Sequence, residues 1–493
     1  MRIERIEIRD FRGFPGSYEF KLGRPGHNLL VYGENGSGKS SLFQALKRFF
    51  EADAKTDIRT QGNTFADAPE PVVKLDIAAY DVDGNRDPDS NLFEWSESAH
   101  PADTALIQQA NKTKGCLDYR TLLETHYVHR DKDRVEIFDL LMRAILPHIE
   151  NPVSGKSIGE ELAGIRTDKR QPMRGWTKNA YQARLDRFNQ GFVALIETLN
   201  TRANELLRRF FDDVEIHLTV QGKLTLTGVG KGKSLQFPKV FVAATFCDQQ
   251  TRLDLHHFLN EARLSALAIS LYLASLLIVP AARLQLLVLD DLLIGIDMSN
   301  RIAVLKTLLE EFKDWQTILL THDRVWFETV KMNTLDEKIW WYAELFAQPA
   351  HDGVPTPLWR GQDEGWTDNL ARAKQHLANH DDRAAGVYAR AAFEGKLKKY
   401  CDKHKVPVPY RANPAEITSD MFWKAVKDKL AADNKLAGVQ QQVSDIETYR
   451  KVVLNPLSHE HPITLTQAEI QGAIPAIEEL DKVLMKPVIK REK

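Results

Sequence analysis

The sequence predicts an α/β domain built on a parallel sheet, interrupted by a helical insertion and followed by an all-α C-terminal domain. Three observations predict it. A glycine-rich turn, Gly33-Glu34-Asn35-Gly36-Ser37-Gly38-Lys39-Ser40, stands between an apolar run (Leu29 to Tyr32) and a helical pattern (Leu42, Ala45, Leu46, Phe49). A second apolar run, Leu286 to Leu289, ends in Asp290-Asp291, as expected of a strand buried on both faces. Beyond Trp366 the periodicity is helical almost to the end.

With 493 residues the chain is too long for one core and should make about two to four domains. A composition of 43% hydrophobic and 27% charged residues excludes a chain disordered over most of its length. The net charge of -2 says little about partners, because the two signs can still be segregated on the surface. Cys116, Cys247 and Cys401 are far apart and form no C-x-x-C pair, which excludes a disulfide framework and a cysteine-built zinc site. The first residues open directly into a strand pattern rather than a signal peptide, so the expected location is cytoplasmic. The apolar run Leu264 to Pro280 is short for a membrane span and carries Ser265, Ser270 and Ser275. It predicts a buried helix, and no membrane partner is expected.

In chain order, residues 1–22 read as a hairpin with Ile3, Ile6 and Ile8 interleaved with charges. Another half-buried strand follows around Val73, Leu75 and Ile77, closed by the turn Asp83-Gly84. Residues 1–100 make the first half of the head. Residues 101–211 read as a helical insertion, a short arm or cap, clearest from Leu185 to Phe210. Residues 212–345 return to strands and complete the head, 346–365 read as a Pro/Gly-rich linker, and 366–493 form the all-α domain. The turn Gly230-Lys231-Gly232-Lys233 is read as solvated rather than as a phosphate contact.

The glycine turn fits the phosphate-binding pattern G-x-x-x-x-G-K-[ST]. Gly36 and Gly38 allow backbone N–H groups to approach phosphate oxygens, and the following helix points its positive end there. Lys39 would neutralise the β- and γ-phosphates of ATP, and the Ser40 hydroxyl would ligate Mg²⁺. Gly33, Asn35 and Ser41 complete the nucleotide-binding set. At the end of the second strand, Asp290 is read as the metal-side carboxylate and Asp291 as the base that polarises the attacking water. Gln61, in a polar loop, falls where a residue sensing Mg²⁺ and the γ-phosphate would sit.

Phosphate loop, polar loop before a helix (Asn260, Glu261, Ser265), acidic strand end, a further aspartate (Asp297) and a strand-end histidine (His322) occur in a fixed order. In that order they resemble an ABC-type P-loop ATPase head, and most closely the RecF/SMC-like ATPases of bacterial repair and defence systems. The resemblance implies a head that dimerises around two ATP molecules, as a homodimer or higher homo-oligomer. Asn260, Glu261, Ser265 and Asp297 would then reach across the dimer, with His322 as the switch histidine. Two residues depart from the family pattern. Asn260-Glu261-Ala262 stands where Ser-Gly-Gly is usual, and Asp291 stands for the usual catalytic glutamate. Both imply slow hydrolysis acting as a switch.

In the C-terminal third, Arg390 and Glu394 are four apart on one helix face, and Asn455-Pro456-Leu457-Ser458-His459 ends another helix pattern. This resembles the HEPN-like ribonuclease module of the PrrC and RloC anticodon nucleases, which implies metal-free RNA cleavage, tRNA among the substrates. His459 would move the proton, Glu394 would assist and Arg390 would stabilise the phosphorane. His459 is preferred to His461 because Pro462 restricts the latter. An ordinary i,i+4 ion pair gives the same spacing. With 21 Lys and Arg against 17 Asp and Glu from Trp366 on, RNA is tolerated rather than demanded. Two other roles stay open: a regulatory ATPase subunit whose helical domain binds a separate effector, such as a nuclease or a reverse transcriptase, and a RecF-type DNA-repair ATPase.

Overall fold

The computed structural model describes residues 1–66, 69–124, 134–168, 176–228, 232–247, 249–293, 295–335, 339–349, 355–361, 365–409, 418–432, 439–449 and 467–484. The chain divides into two units, Met1–Trp359 and Arg360–Lys493. The first is a mixed α/β head and the second is helical. His459, Gly230 and Lys231 lie outside the described residues.

In the head, β1 (Arg2–Phe11) and β2 (Phe14–Lys21) form the expected antiparallel hairpin. Ile3 and Ile6 are three apart, which would place them on opposite faces of a regular strand. A pairing irregularity between Ile3 and Arg5 brings both, with Ile8, into the core. The strand β3 (Asn28–Gly33) leads to α1 (Lys39–Phe49), followed by β4 (Val72–Ala78) and β5 (Asn91–Trp95). Strands β2, β1, β4 and β5 make a four-stranded antiparallel sheet.

The stretch read as a helical insertion is not uniformly helical. After α2 (Ala105–Thr113), residues Gly115–Asp118 form β6, paired in parallel with the strand that carries Asp290. The chain then runs through α3 (Tyr119–Glu124), β7 (Val135–Glu136), α4 (Phe138–Leu140), a π turn, α5 (Ile158–Asp168) and α6 (Trp176–Phe210). Nor is α6 a projecting arm. Leu185, Phe188, Phe192, Leu199, Leu206 and Phe210 are buried in one core, so truncating Phe188 to alanine should cost about 3–5 kcal/mol. Arg202 and Arg209 bind Glu311, and Arg209 also binds Glu310.

The strands β8 (Val214–Gln221), β9 (Thr225–Thr227), β10 (Ser234–Gln236) and β11 (Lys239–Phe246) follow, with β7, β11 and β8 pairing antiparallel. The apolar run read as a core helix is α7 (Glu261–Leu277). It is buried nearly all round, and Ser270 and Ser275 donate to the carbonyls of Ala266 and Tyr272. The chain ends its first unit through β12 (Leu286–Asp290), α8 (Met298–Glu311), β13 (Gln316–Thr321), α9 (Arg324–Thr334), β14 (Trp340–Pro349) and β15 (Pro355–Gly361).

The central sheet has the order β15-β14-β3-β13-β12-β6, parallel from β14 to β6. Successive residues of its apolar runs serve opposite faces. Leu286 and Val288 join the core with α1 and β1, whereas Leu287 and Leu289 join the core with α6 and α7. The reading of 346–365 as a linker fails at its start, where β14 continues to Pro349 and β15 adds an edge strand to this sheet. The prolines of β15 misled that reading, because an edge strand tolerates residues that cannot donate to a ladder.

The second unit contains α10 (Gly365–Ala378), α11 (Asp382–Lys403), α12 (Ser419–Ala432), α13 (Gln440–Tyr449) and α14 (Gln467–Leu484). Its core holds Ala389, Phe393, Leu397, Trp423, Ile446 and Ile477. Among the described residues of either unit, no helix is long and apolar enough to cross a membrane.

Candidate functional site

The phosphate loop joins the end of β3 to α1. Gly38 is the residue before the helix, at φ 100°, and a Cβ there would sit 3.2 Å from both Phe14 and Pro357. Backbone conformation and the wall behind it therefore both require glycine. The loop is closed by the Ser37 N–H donating to the Glu34 carbonyl at 3.1 Å. Lys39, only 5% exposed, donates from Nζ to the carbonyls of Gly33 (2.5 Å) and Glu34 (3.1 Å). Burial lowers the Lys39 pKa, opposed by the charges of Asp291 and Asp290. Asn35 and Ser40 are exposed at the loop. Ser41 is engaged elsewhere, its Oγ accepting from the Gly13 N–H at 3.1 Å and so tying the β1–β2 turn to α1.

Asp290 ends β12 and is 6% exposed. Its carboxyl is held up at about 6, first by burial and then by the adjacent Asp291 charge, while the Ser40 hydroxyl and Lys39 pull the other way. One oxygen, Oδ1, is buried with no hydrogen-bond partner, and so is Ser37 Oγ. Asp291, at φ 50°, donates its N–H to the Leu320 carbonyl at 3.0 Å. Its Oδ1 accepts from the His322 N–H and lies 2.8 Å from His322 Nδ1. A carboxylate oxygen accepts in such a contact, so Nδ1 is the donor of the pair and Nε2 is the ring nitrogen left for other partners. The base and the switch histidine of the sequence reading are one hydrogen-bonded pair.

The remaining residues singled out in the sequence fall into two groups. Asn260 caps α7 through its side chain, accepting from the Arg263 N–H at 3.0 Å, and Glu261 opens the helix, exposed. Ser265 is buried. A Cβ on Gly295 would lie 3.2 Å from Glu261 Oε1 and from Ser265 Oγ, so the loop before α8 rests on the first turn of α7. Asp297 precedes α8, exposed, and its side chain makes no capping bond. Arg301 fastens this loop, donating to the Ile296 carbonyl at 2.7 Å and to Asp323 at 2.5 Å. Gln61 sits apart from Asp290 in bonding: its Oε1 accepts from Arg12 and its carbonyl from the Arg12 N–H at 2.8 Å.

Sequence reasoning missed Asp118. It ends β6 directly beside Asp290 in the parallel register, and its Oδ1 accepts from the Thr121 N–H and hydroxyl at 2.9 and 2.6 Å. The signal was a short apolar run ending in an aspartate, hidden between two helical patterns. Phe14 and Pro357, which wall Gly38, carried no signal. In the second unit Arg390 Nε donates to Glu394 Oε1 at 2.9 Å, with side chains 26% and 30% exposed.

Residues 5–144 match the family described as "AAA domain". No curated protein matches the chain. Among solved structures, an Smc head bound to the C-winged helix domain of ScpA aligns at 13% identity with a TM-score of 0.40, covering 74% of this chain and all of its own. The Smc head domain with an extended coiled coil from Pyrococcus furiosus, bound to the C-terminal domain of ScpA, aligns at 13% and 0.42, covering 77% and 99%. The SMC head domain from Thermotoga maritima aligns at 13% and 0.32, covering 73% and 98%. The family match spans the glycine loop and its helix, the part of the head where the candidate site begins.

Proposed function

We propose that the head binds and slowly hydrolyses Mg-ATP in the manner of SMC/RecF-like ATPases. The observation that supports this most is the buried, unpartnered oxygen of Asp290 beside the Ser40 hydroxyl and behind the Lys39 ammonium. An orphaned carboxylate oxygen at a phosphate loop fits a divalent cation. Ser40 and Asp290 would hold Mg²⁺, which when bound neutralises phosphate charge. No cluster of three or more His, Cys, Asp or Glu is grouped for a metal among the described residues, so phosphate oxygens and water would complete the shell.

The chain's own residues divide the remaining work. Lys39 places a positive charge where the loop amides converge. Asp291 accepts a proton from water, held in place by the His322 N–H and imidazole, and His322 Nε2 stays available to the terminal phosphate once that oxygen is protonated. Asp291 is a methylene shorter than glutamate, and Asn260 caps its helix instead of leaving a glycine-lined loop open; both favour slow turnover. Dimerisation through the exposed Asn260, Glu261 and Asp297 completes the proposal. Asp291→Ala with ATP and magnesium should double the mass seen by light scattering; a monomer under saturating ATP would sink the dimer.

For the second unit we propose a HEPN-like ribonuclease gated by the head, in an antiphage setting. Arg390 and Glu394 on α11 support it, with His459 as the third member. Total cellular RNA incubated with the protein and ATP should be cut, and His459→Ala and Arg390→Ala should each abolish cutting. The bond between Arg390 and Glu394 equally suits a structural ion pair. Intact RNA in every lane would therefore leave the reading of a regulatory ATPase whose helices dock a separate effector.

A further inference from the structure

Two neighbouring strands of the central sheet each end in an aspartate. In the parallel register of β6 against β12, the last pair is Asp118 with Asp290. Neighbouring strands lie about 4.8 Å apart, and residues paired in register share a face of the sheet. The core tells which face this is. Cys116 of β6, with Leu286 and Val288 of β12, is buried in the core that contains Leu42 and Leu46 of α1. Asp118 and Asp290 have the same parity along their strands. Both carboxylates therefore stand on the α1 side of the sheet, the helix that begins with Lys39 and Ser40.

Neither carboxylate takes part in an ion pair among the described residues. Asp290 is 6% exposed, and its Oδ1 is buried with no partner. Asp118 uses Oδ1 to accept from the Thr121 N–H and hydroxyl, which fixes the side chain, and its Oδ2 accepts no hydrogen bond. Lys39 does not neutralise them by contact, because its ammonium donates to the Gly33 and Glu34 carbonyls. Asp291, bonded to His322, adds a third carboxylate beside Asp290. The phosphates of a nucleotide bring further negative charge to this place, so they alone do not relieve it. A cation does. Two carboxylates and a hydroxyl are hard oxygen donors, the set that suits Mg²⁺ or Mn²⁺.

We propose that Asp118 and Asp290 together hold a divalent cation before any nucleotide arrives, with Ser40 and water completing its shell. The proposal rests on the reading of Ser40 and Asp290 as magnesium ligands, and adds Asp118 and an order of binding to it. The head then keeps its cation between one nucleotide and the next. ATP meets a site whose carboxylates are already neutralised, and its phosphate oxygens take the places of water.

The test is titration of the nucleotide-free full chain with Mn²⁺, read by loss of the paramagnetic resonance signal of the free ion. Saturable binding of a single cation per chain is expected, and Mg²⁺ should compete for it. Asp118→Asn keeps an acceptor for the Thr121 N–H, so the start of α3 is preserved, and it should weaken Mn²⁺ binding at least about tenfold. Asp290→Asn should weaken it by as much or more. Asp83→Asn, in the exposed turn after β4, should leave it unchanged. Should Asp118→Asn not fold, the wild type still decides: without nucleotide, Mg²⁺ should raise its urea midpoint, and Na⁺ at equal ionic strength should not. Mn²⁺ binding only in the presence of ATP would overturn the proposal, as would nucleotide-free binding that Asp118→Asn leaves intact. Equal weakening by Asp83→Asn would also overturn it, marking an adventitious ion only. The ATPase reading fails on a different result: a head that takes Mn²⁺ but binds no ATP keeps this site and loses that reading.

Discussion

The C-terminal ends of the central strands and the Arg390–Glu394 pair are both clusters of charged side chains, yet they are held in opposite ways. At the strand ends, Lys39, the Asp290-Asp291 pair and His322 come from three segments, and Lys39 and Asp291 are fixed by backbone groups. Asp290 keeps an oxygen with no partner at all. On α11, Arg390 and Glu394 come from one helix, are partly exposed and bond to each other. The first arrangement costs stability that only a ligand can return. The second is self-sufficient, as a surface ion pair is. Unsatisfied burial, rather than charge clustering, separates a site built to receive something from a face that needs nothing.

The contrast is most exposed to test at Lys39. If its ammonium faces bound phosphate, Lys39→Ala should lower ATP affinity by about 100-fold or more, read with a fluorescent nucleotide. Unchanged affinity would reduce the loop to a structural turn. The next largest effect concerns the Asp291–His322 pair. Asp291→Asn and His322→Ala should each slow hydrolysis by about 100-fold, and the double variant should be no slower than either alone. Additive losses would mean the two side chains act separately.

How much of this was legible in the sequence follows from the same contrast. The phosphate loop, the strand ending in Asp290-Asp291 and the strand ending before His322 were readable because each is a local pattern, a buried strand delivering a polar residue at its C-terminal end. The helices of the second unit, α10 to α14, were readable from the 3.6-residue period of the chain beyond Trp366. Asp118 was not readable, since it depends on a four-residue strand whose partner lies far away in sequence. The same is true of β14 and β15, whose place on the β3 side of the sheet is a long-range fact. The pairing of Asp291 with His322 was also invisible: two strand ends had to become adjacent first.

Asp290 carries the contrast into stability. Its proton is bound more tightly in the folded chain, so stability falls as pH rises from the ordinary carboxylate range to about 6 and stays low above that. In magnesium-free protein at pH 7, Asp290→Asn should raise stability by up to about 3 kcal/mol, measured by denaturant unfolding. The same variant should lose the stabilisation that magnesium and ATP confer on the wild type. A destabilised Asp290→Asn would show that the carboxylate is satisfied after all.

The smallest effect is expected at Arg390. As a partly exposed i,i+4 pair with Glu394, it should contribute no more than about 0.5 kcal/mol, so Arg390→Ala and Glu394→Ala should leave the unfolding midpoint almost unchanged. That near-silence makes the pair informative. A residue that stability does not need can lose RNA cleavage without losing its fold, and a double-mutant cycle on cleavage then reports chemistry rather than collapse. If both single variants unfold markedly earlier than the wild type, the pair is structural, and the contrast with the central strand ends becomes one of degree. If neither stability nor cleavage moves, the α11 face does no chemistry, and only docking of another protein would remain for the helical unit.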